Sequence, residues 1–215
     1  MKNERKLHLG NWKTLLTMMV MNVLLAGGVL AQDENDGSGV MANEPVSGVH
    51  HSFSMCPGGL ALGILSVNYE YLFQENHGIV ARFDYESIPS TYSDAKLESS
   101  GLAFILNYRY HIAGGMEAVY VGAFTRLRNY SGTGTLESTS FDFSIPEVTF
   151  GLNIGKKWVW SSGITLNFAL GYGVAKQWRE ADPRNAAIDA SLDVFEDEYD
   201  FISPLLGELS IGYAF

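Results

Sequence analysis

The sequence predicts an all-β chain: an eight-stranded antiparallel, up-and-down transmembrane β-barrel preceded by a cleaved signal peptide. Three observations predict it. Side-chain polarity alternates with a period of two over most of residues 46–215, aromatic residues gather toward one end of the apolar faces, and the opposite faces carry charge of both signs. At 215 residues, 47% hydrophobic and only 18% charged, the composition suits a chain with two kinds of surface.

Residues 1–31 read as a secretory signal. Lys2, Arg5, Lys6 and Lys13 form a basic start, Leu15 to Ala31 is apolar, and Val29-Leu30-Ala31 offers small residues before Gln32. The apolar run is short for a membrane span and is interrupted by Asn22 and Gly27-Gly28. Removing it takes away four of the 14 basic and one of the 24 acidic residues, leaving 10 against 23, a net charge of −13. So acidic a chain is expected to have no nucleic-acid partner. Residues 32–45 are acidic and unpatterned and read as a flexible leader, with the barrel domain over 46–215.

The alternation runs as follows. From Leu60 to Phe73, Ala61, Gly63, Leu65, Val67, Tyr69, Tyr71 and Phe73 share one face, and Ser66, Asn68 and Glu70 the other. Ile79, Ala81, Phe83 and Tyr85 oppose Arg82, Asp84 and Glu86. Leu102 to Ile112 sets six apolar residues against Asn107, Arg109 and His111. Val119 to Leu127 opposes Tyr120, Gly122, Phe124, Arg126 and Arg128. Val148 to Trp160 opposes Glu147, Thr149, Asn153 and Lys157, with Lys156 a misfit on the apolar side. Ile164 to Val174 and Leu205 to Phe215 complete seven strands, with Pro146 and Pro204 expected at strand starts.

An open seven-stranded sheet would leave unpaired backbone groups in lipid, so an eighth strand is required. Val49, His51, Phe53 and Met55, alternating with His50, Ser52 and Ser54, supply it. Connections at 74–77, 113–115 and 161–163 are expected to be tight, and those at 88–100, 130–145 and 178–203 long and polar. Short periplasmic turns alternating with long external loops are the outer-membrane pattern.

A soluble sandwich would also alternate, so the direction of the apolar face decides the class. Tyr69, Tyr71, Phe73, Tyr108, Tyr110, Trp158, Trp160, Tyr213 and Phe215 fall at the same ends of four strands, as an interfacial aromatic girdle requires. The opposite face collects Arg82, Arg109, Arg126, Arg128 and Lys157 with Glu70, Asp84, Glu86, Glu147 and Glu208. In a soluble core that mixture would be ruinous. In a narrow barrel it is expected to form a charge-paired, hydrated plug, structural in role, since eight strands leave an interior that side chains can just fill.

The ending Leu209-Ser210-Ile211-Gly212-Tyr213-Ala214-Phe215 resembles the terminal strand of outer-membrane barrels. The resemblance implies that Leu209, Ile211, Tyr213 and Phe215 are read by the barrel-assembly machinery during biogenesis. Leu65 to Tyr71, Asn107 to Tyr110, Tyr120 to Gly122, Gly151 to Trp158 and Ile211 to Tyr213 are similar to a family of small outer-membrane barrels known only as a domain of unknown function. Size and strand count resemble, more loosely, the OmpA/OmpX-type barrels. Neither likeness brings catalytic residues.

Candidate sites are few. A lipid-modifying barrel enzyme needs Ser, His and an acid converging near the outer leaflet. His50, His51, His77 and His111 all fall toward the periplasmic end, so no catalytic residue is assigned. Asp189, Asp193, Glu196, Asp197, Glu198 and Asp200 make the last loop acidic, without a calcium-loop spacing or its glycine. His50 and His51, being neighbours on a strand, point to opposite faces and cannot chelate together. No metal or other cofactor is expected, and Cys56 is expected to be a free thiol in an external turn. The leading expectation is a monomeric, non-enzymatic outer-membrane protein of a Gram-negative cell, in contact with membrane lipid and serving envelope structure or adhesion. A narrow solute channel and an outer-leaflet lipid-modifying enzyme are the alternatives.

Overall fold

The computed structural model describes residues 48–60, 63–88, 97–136, 139–199 and 204–215. The expected signal segment 1–31, the leader 32–45, Ala61, Asp200 and the side chains of residues 195–199 lie outside that description. Among the described residues nine strands and two helices follow in chain order: β1 His51–Met55, α1 Pro57–Leu60, β2 Ile64–Gln74, β3 His77–Ile88, β4 Glu98–His111, β5 Ala118–Leu136, β6 Thr139–Val159, β7 Ile164–Gln177, β8 Glu180–Asp182, α2 Ala186–Tyr199 and β9 Leu205–Ala214. All pairings are antiparallel.

The sheet closes on itself. β1 pairs with β2 on one side and β9 on the other, β9 pairs with β7, and β5 with β6 completes an eight-stranded ring. Closure leaves no edge within the ring, which satisfies the backbone of every strand. At one end, here the turn end, β2 and β3 are joined by Glu75-Asn76, and β6 and β7 by a turn at Gly163, whose φ of 84° places it in the left-handed region that favours glycine. The opposite end carries the longer excursions.

Two of those excursions differ from the expected polar loops, and most of the third, 89–96, lies outside the described residues. Residues 130–145 belong almost entirely to β5 and β6, which run on beyond the ring as a hairpin ribbon paired as far as Leu136↔Thr139. β4 follows them up to Glu98↔Thr133. Pro146 lies inside β6, opposite Asn129, rather than at a strand start. Its carbonyl accepts from Trp178 N at 3.0 Å, so its side of the strand faces the break between β7 and β8, where a missing N–H interrupts no continuous ladder. The segment after Trp178 folds as β8, paired to β6 at 142–144, and then as helix α2. Asn185 caps α2, its Oδ1 accepting from Ala187 N at 3.0 Å and Ile188 N at 2.9 Å.

Helix α2 has an apolar purpose despite its acidic sequence. Ile188 and Leu192, one turn apart, are buried with Leu97, Tyr130, Phe141, Phe143 and Ile145 in one cluster. Tyr130, Phe141, Phe143 and Ile145 are the inward-facing positions of the ribbon, so the helix closes over its inner face. Arg179 pairs with Asp193, and Arg184 Nε lies 3.2 Å from Asp189, tying the helix to the chain before it. A small hydrophobic core thus caps this end of the barrel.

Candidate functional site

The interior is read most directly along β5 and β6, whose alternate residues point inward. From the cap downward these are Tyr130, Arg128, Arg126, Phe124, Gly122, Tyr120 and Ala118 on β5. Ile145, Glu147, Thr149, Gly151, Asn153, Gly155, Lys157 and Val159 run beside them on β6. Layers of charge and layers of apolar atoms alternate along the axis.

All ten charged side chains of the inward faces are buried, five acids against five bases, and each has an ion-pair partner. Near the turn end, Glu70 is the hub. Its carboxylate takes Arg109 Nη1 at 3.1 Å, Lys157 Nζ, and the His111 ring at 3.1 Å, while Arg109 Nη2 donates to Glu208 at 2.6 Å. Arg109 also stacks over the Tyr120 ring, 4.3 Å from its centroid, and Tyr120 Oη donates to Asn167 at 2.9 Å. Nearer the cap, Glu147 takes Arg126 at 3.0 Å and Arg128 at 2.7 Å, and Tyr130 donates to Glu86. Arg82 pairs with Asp84 at 2.7 Å and donates to the Gly207 carbonyl at 2.9 Å. Burying ions is costly unless each is both paired and hydrogen-bonded, and these are.

Apolar side chains cross the interior at three heights. The cap cluster is the first. Ala103, Ile105, Phe124 and Leu206 form a waist, and Leu72, Met116, Val159 and Ala214 close the turn end. Room for the two interior rings comes from glycine. A Cβ on Gly155 would stand 2.5 Å from Tyr120 Cζ, and one on Gly151 would stand 2.5 Å from Phe124 Cε1. Gly155→Val is therefore expected to displace Tyr120 from beside Arg109 and to cost ~1–3 kcal/mol by overpacking. A lowered midpoint in urea unfolding would register it, and an unchanged midpoint would show that the ring has slack.

The inward charges are thus brought together in two networks and a separate Arg82–Asp84 pair. The expected girdle residues lie on the outer face: Tyr69, Tyr71, Phe73, Tyr108, Tyr110, Trp160, Tyr213 and Phe215 are exposed and Trp158 half-buried. Sequence reasoning did not place two histidines among them. His51 stacks on Tyr71 at 4.9 Å and its Nδ1 lies 2.8 Å from Tyr69 Oη, while His77 Nδ1 lies 2.6 Å from Tyr108 Oη. That reasoning placed Tyr120, Phe124 and the asparagines on the inward face but gave them no role there, having only that placement as a signal. Leu209, Ile211 and Tyr213 alternate outward with Ser210, Gly212 and Ala214 on β9, and Phe215 follows on the same side. Cys56 is not in an exposed turn. It is buried, its backbone N donates to Ser66 O at 3.1 Å, and Asn68 Nδ2 lies 3.6 Å from its Sγ.

Among the described residues the arrangement closest to a catalytic dyad is Lys157 Nζ with Ser52 Oγ at 2.8 Å. A Ser–Lys pair works only when the amine has a lone pair to accept the hydroxyl proton. Lys157 instead donates to Ser52, to Glu70 and toward Met116 Sδ at 3.6 Å, which uses three N–H groups of an ammonium. Among the described residues no group of three or more His, Cys, Asp or Glu could hold a metal ion.

No family model matches the chain, and no curated protein matches it. The domain-of-unknown-function and OmpA/OmpX-type resemblances therefore gain no support there. Among solved structures, Acinetobacter baumannii CarO2 is similar at 11% identity, covering 78% of this chain and 98% of that one, with a TM-score of 0.39. Acinetobacter baumannii CarO is similar at 12% identity, covering 80% and 99%, with a TM-score of 0.37. Likenesses at that level carry no weight for function.

Proposed function

We propose that the protein is a non-enzymatic outer-membrane barrel of a Gram-negative cell, with a structural, side-chain-filled interior and a folded cap turned outward as its interaction surface. The observation that carries this reading is inverted polarity. Ten ionisable side chains, paired acid to base, lie inside the ring, while Phe53, Leu65, Phe83, Leu102, Phe104, Leu127, Phe150, Leu152, Val174 and Ile211 are exposed outside it. A water-soluble protein would gain nothing from that exchange, whereas hydrocarbon makes it favourable.

The height of the apolar band supports the same reading. Lys156 and Lys176 are outward-facing, exposed, and each lies over the ring of the Trp two residues on, at 5.1 Å and 5.5 Å. Phe168 is the cross-strand partner of Lys156, and Lys176 lies eight residues further along β7. At ~3.3 Å per residue and a tilt of ~40° the two cations are ~20 Å apart along the barrel axis, and their tryptophans lie further out. An outer-membrane apolar band of ~25 Å fits between those limits. The misfit lysine becomes a boundary marker, its stem apolar and its ammonium at the interface.

The turn end would then face the periplasm and the cap the exterior, where it serves envelope structure or adhesion. The outer-membrane lipid and, during biogenesis, the assembly machinery are its partners, and the barrel acts as a monomer. Three apolar layers support a plug over the channel alternative. Refolding into lipid vesicles followed by planar-bilayer recording tests this: a β-rich, heat-modifiable, membrane-inserted protein without steady conductance is expected. A chain that stays monomeric in water without detergent would sink the membrane reading, and reproducible conductance steps would sink the plug. Loss of adhesion on deleting residues 179–203, with the barrel intact, would assign the surface role to the cap.

A further inference from the structure

Near the cap end the outer wall is not smooth. Phe83, Leu102, Phe104, Leu127, Val148 and Trp178 line an open, almost wholly apolar groove of about 320 Å³ across β3 to β6. It lies where the outward positions change character. Leu102, Leu127, Val148 and Val174 give way, one outward position further, to Ser100, Asn129, Pro146 and Lys176. The groove therefore spans the boundary between the apolar band and its polar rim.

The rim carries a cation. Lys176 is the cross-strand partner of Val148 in the groove wall, and its Nζ lies 5.5 Å from the centroid of Trp178 in the same wall. On its own face of β7 its neighbours are Val174 and Trp178. The exposed acids on this side, Asp142, Glu180, Asp182 and Glu98, stand further out on the ribbon, β8 and the start of β4. The next basic residue, Arg179, is held by Asp193 in the cap. An exposed ammonium above an apolar groove, on an otherwise acidic chain, complements an amphiphile with a negative head.

We propose that this groove is a lipid site: it takes one acyl chain of an anionic, phosphate-bearing membrane lipid, whose phosphate pairs with Lys176 beside the Trp178 ring. The proposal rests on the membrane-embedded reading above and adds to it a position and a headgroup charge. The acyl chain fills a concave stretch of wall that straight neighbouring lipids would bridge poorly. Lys176 supplies a point charge for the phosphate, and Trp178 shields that contact from water.

The test uses Trp178 as reporter. The chain has four tryptophans, so Trp12→Phe, Trp158→Phe and Trp160→Phe leave it alone. Refolded into phosphatidylcholine vesicles, this variant is titrated with phosphatidylglycerol or phosphatidylcholine carrying brominated acyl chains, which quench tryptophan on contact. Brominated phosphatidylglycerol is expected to associate about fivefold more strongly, as one basic side chain near an anionic headgroup implies. Lys176→Gln is expected to remove that preference while leaving quenching by brominated phosphatidylcholine unchanged. Native mass spectrometry of the unsubstituted protein and its Lys176→Gln form, scored for retained phosphatidylglycerol, repeats the comparison should the triple substitution impair folding. Equal quenching by the two lipids, or a preference that survives Lys176→Gln, overturns the site. So does concentration-dependent shielding of Trp178 from both lipids, which would mean that a second copy fills the groove. Failure to enter vesicles at all would instead overturn the membrane reading on which the proposal stands.

Discussion

Replacing Glu70 by alanine is expected to remove ~3–5 kcal/mol from the stability of the barrel, the range found when one partner of a buried ion pair is deleted. The loss falls on Lys157. Arg109 keeps Glu208 at 2.6 Å, but Lys157 would keep only the Ser52 hydroxyl and the Met116 sulfur in contact, leaving a buried ammonium whose remaining counter-charge, Glu208, is out of contact and engaged by Arg109. Asp84→Ala makes a useful contrast. Arg82 would still donate to Gly207 O at 2.9 Å and Ser66 Oγ at 3.2 Å, so a smaller loss of ~1–3 kcal/mol is expected. Urea unfolding in vesicles, followed by tryptophan emission, measures both. Adding Lys157→Met to Glu70→Ala removes the stranded charge with little change in length and is expected to recover most of the deficit. If the double variant is no more stable than Glu70→Ala, charge pairing is not what holds this layer together.

The sequence carried the strands because an eight-stranded ring forces every second residue to one side, and the two sides here face opposite solvents. Polarity alone therefore revealed which residues point inward, down to Lys156 as the exception on β6. Pairing within the interior was not legible. Glu70 meets Lys157 across 87 positions and Arg109 meets Glu208 across 99, and which pairs fall level depends on the stagger of the strands, which no local pattern records. The ribbon was missed for a different reason. Ser131-Gly132-Thr133-Gly134-Thr135 has the composition of a loop, and Pro146 disguised the alternation of Phe141, Phe143 and Ile145 with Asp142 and Ser144. In α2 the signal was present but faint: Asn185 at the cap position, with Ile188 and Leu192 four apart among acids.

The same cap supplies the second large effect. A 14-residue helix is marginal alone, so α2 depends on burying Ile188 and Leu192, which are 1% and 0% exposed. Ile188→Asp with Leu192→Asp would place two carboxylates in an apolar cluster at a cost of several kcal/mol, more than so short an element can offset. The expected result is a cap that opens: rapid amide exchange in α2 and proteolysis after Trp178, with the ring intact and heat-modifiability unchanged. Conductance is still expected to be absent, because the waist of Ala103, Ile105, Phe124 and Leu206 crosses the interior below the cap and the Glu147 network lies between them. Adding Phe124→Ala removes the largest side chain of that waist and leaves Gly151 and Gly171, which both lie against its ring, facing a void. Small conductance steps are expected only then, from water entering a layer already rich in asparagine. Steady steps from the cap variant alone would show that the helix is the sole seal, and the cap would have to be reinterpreted as a gate.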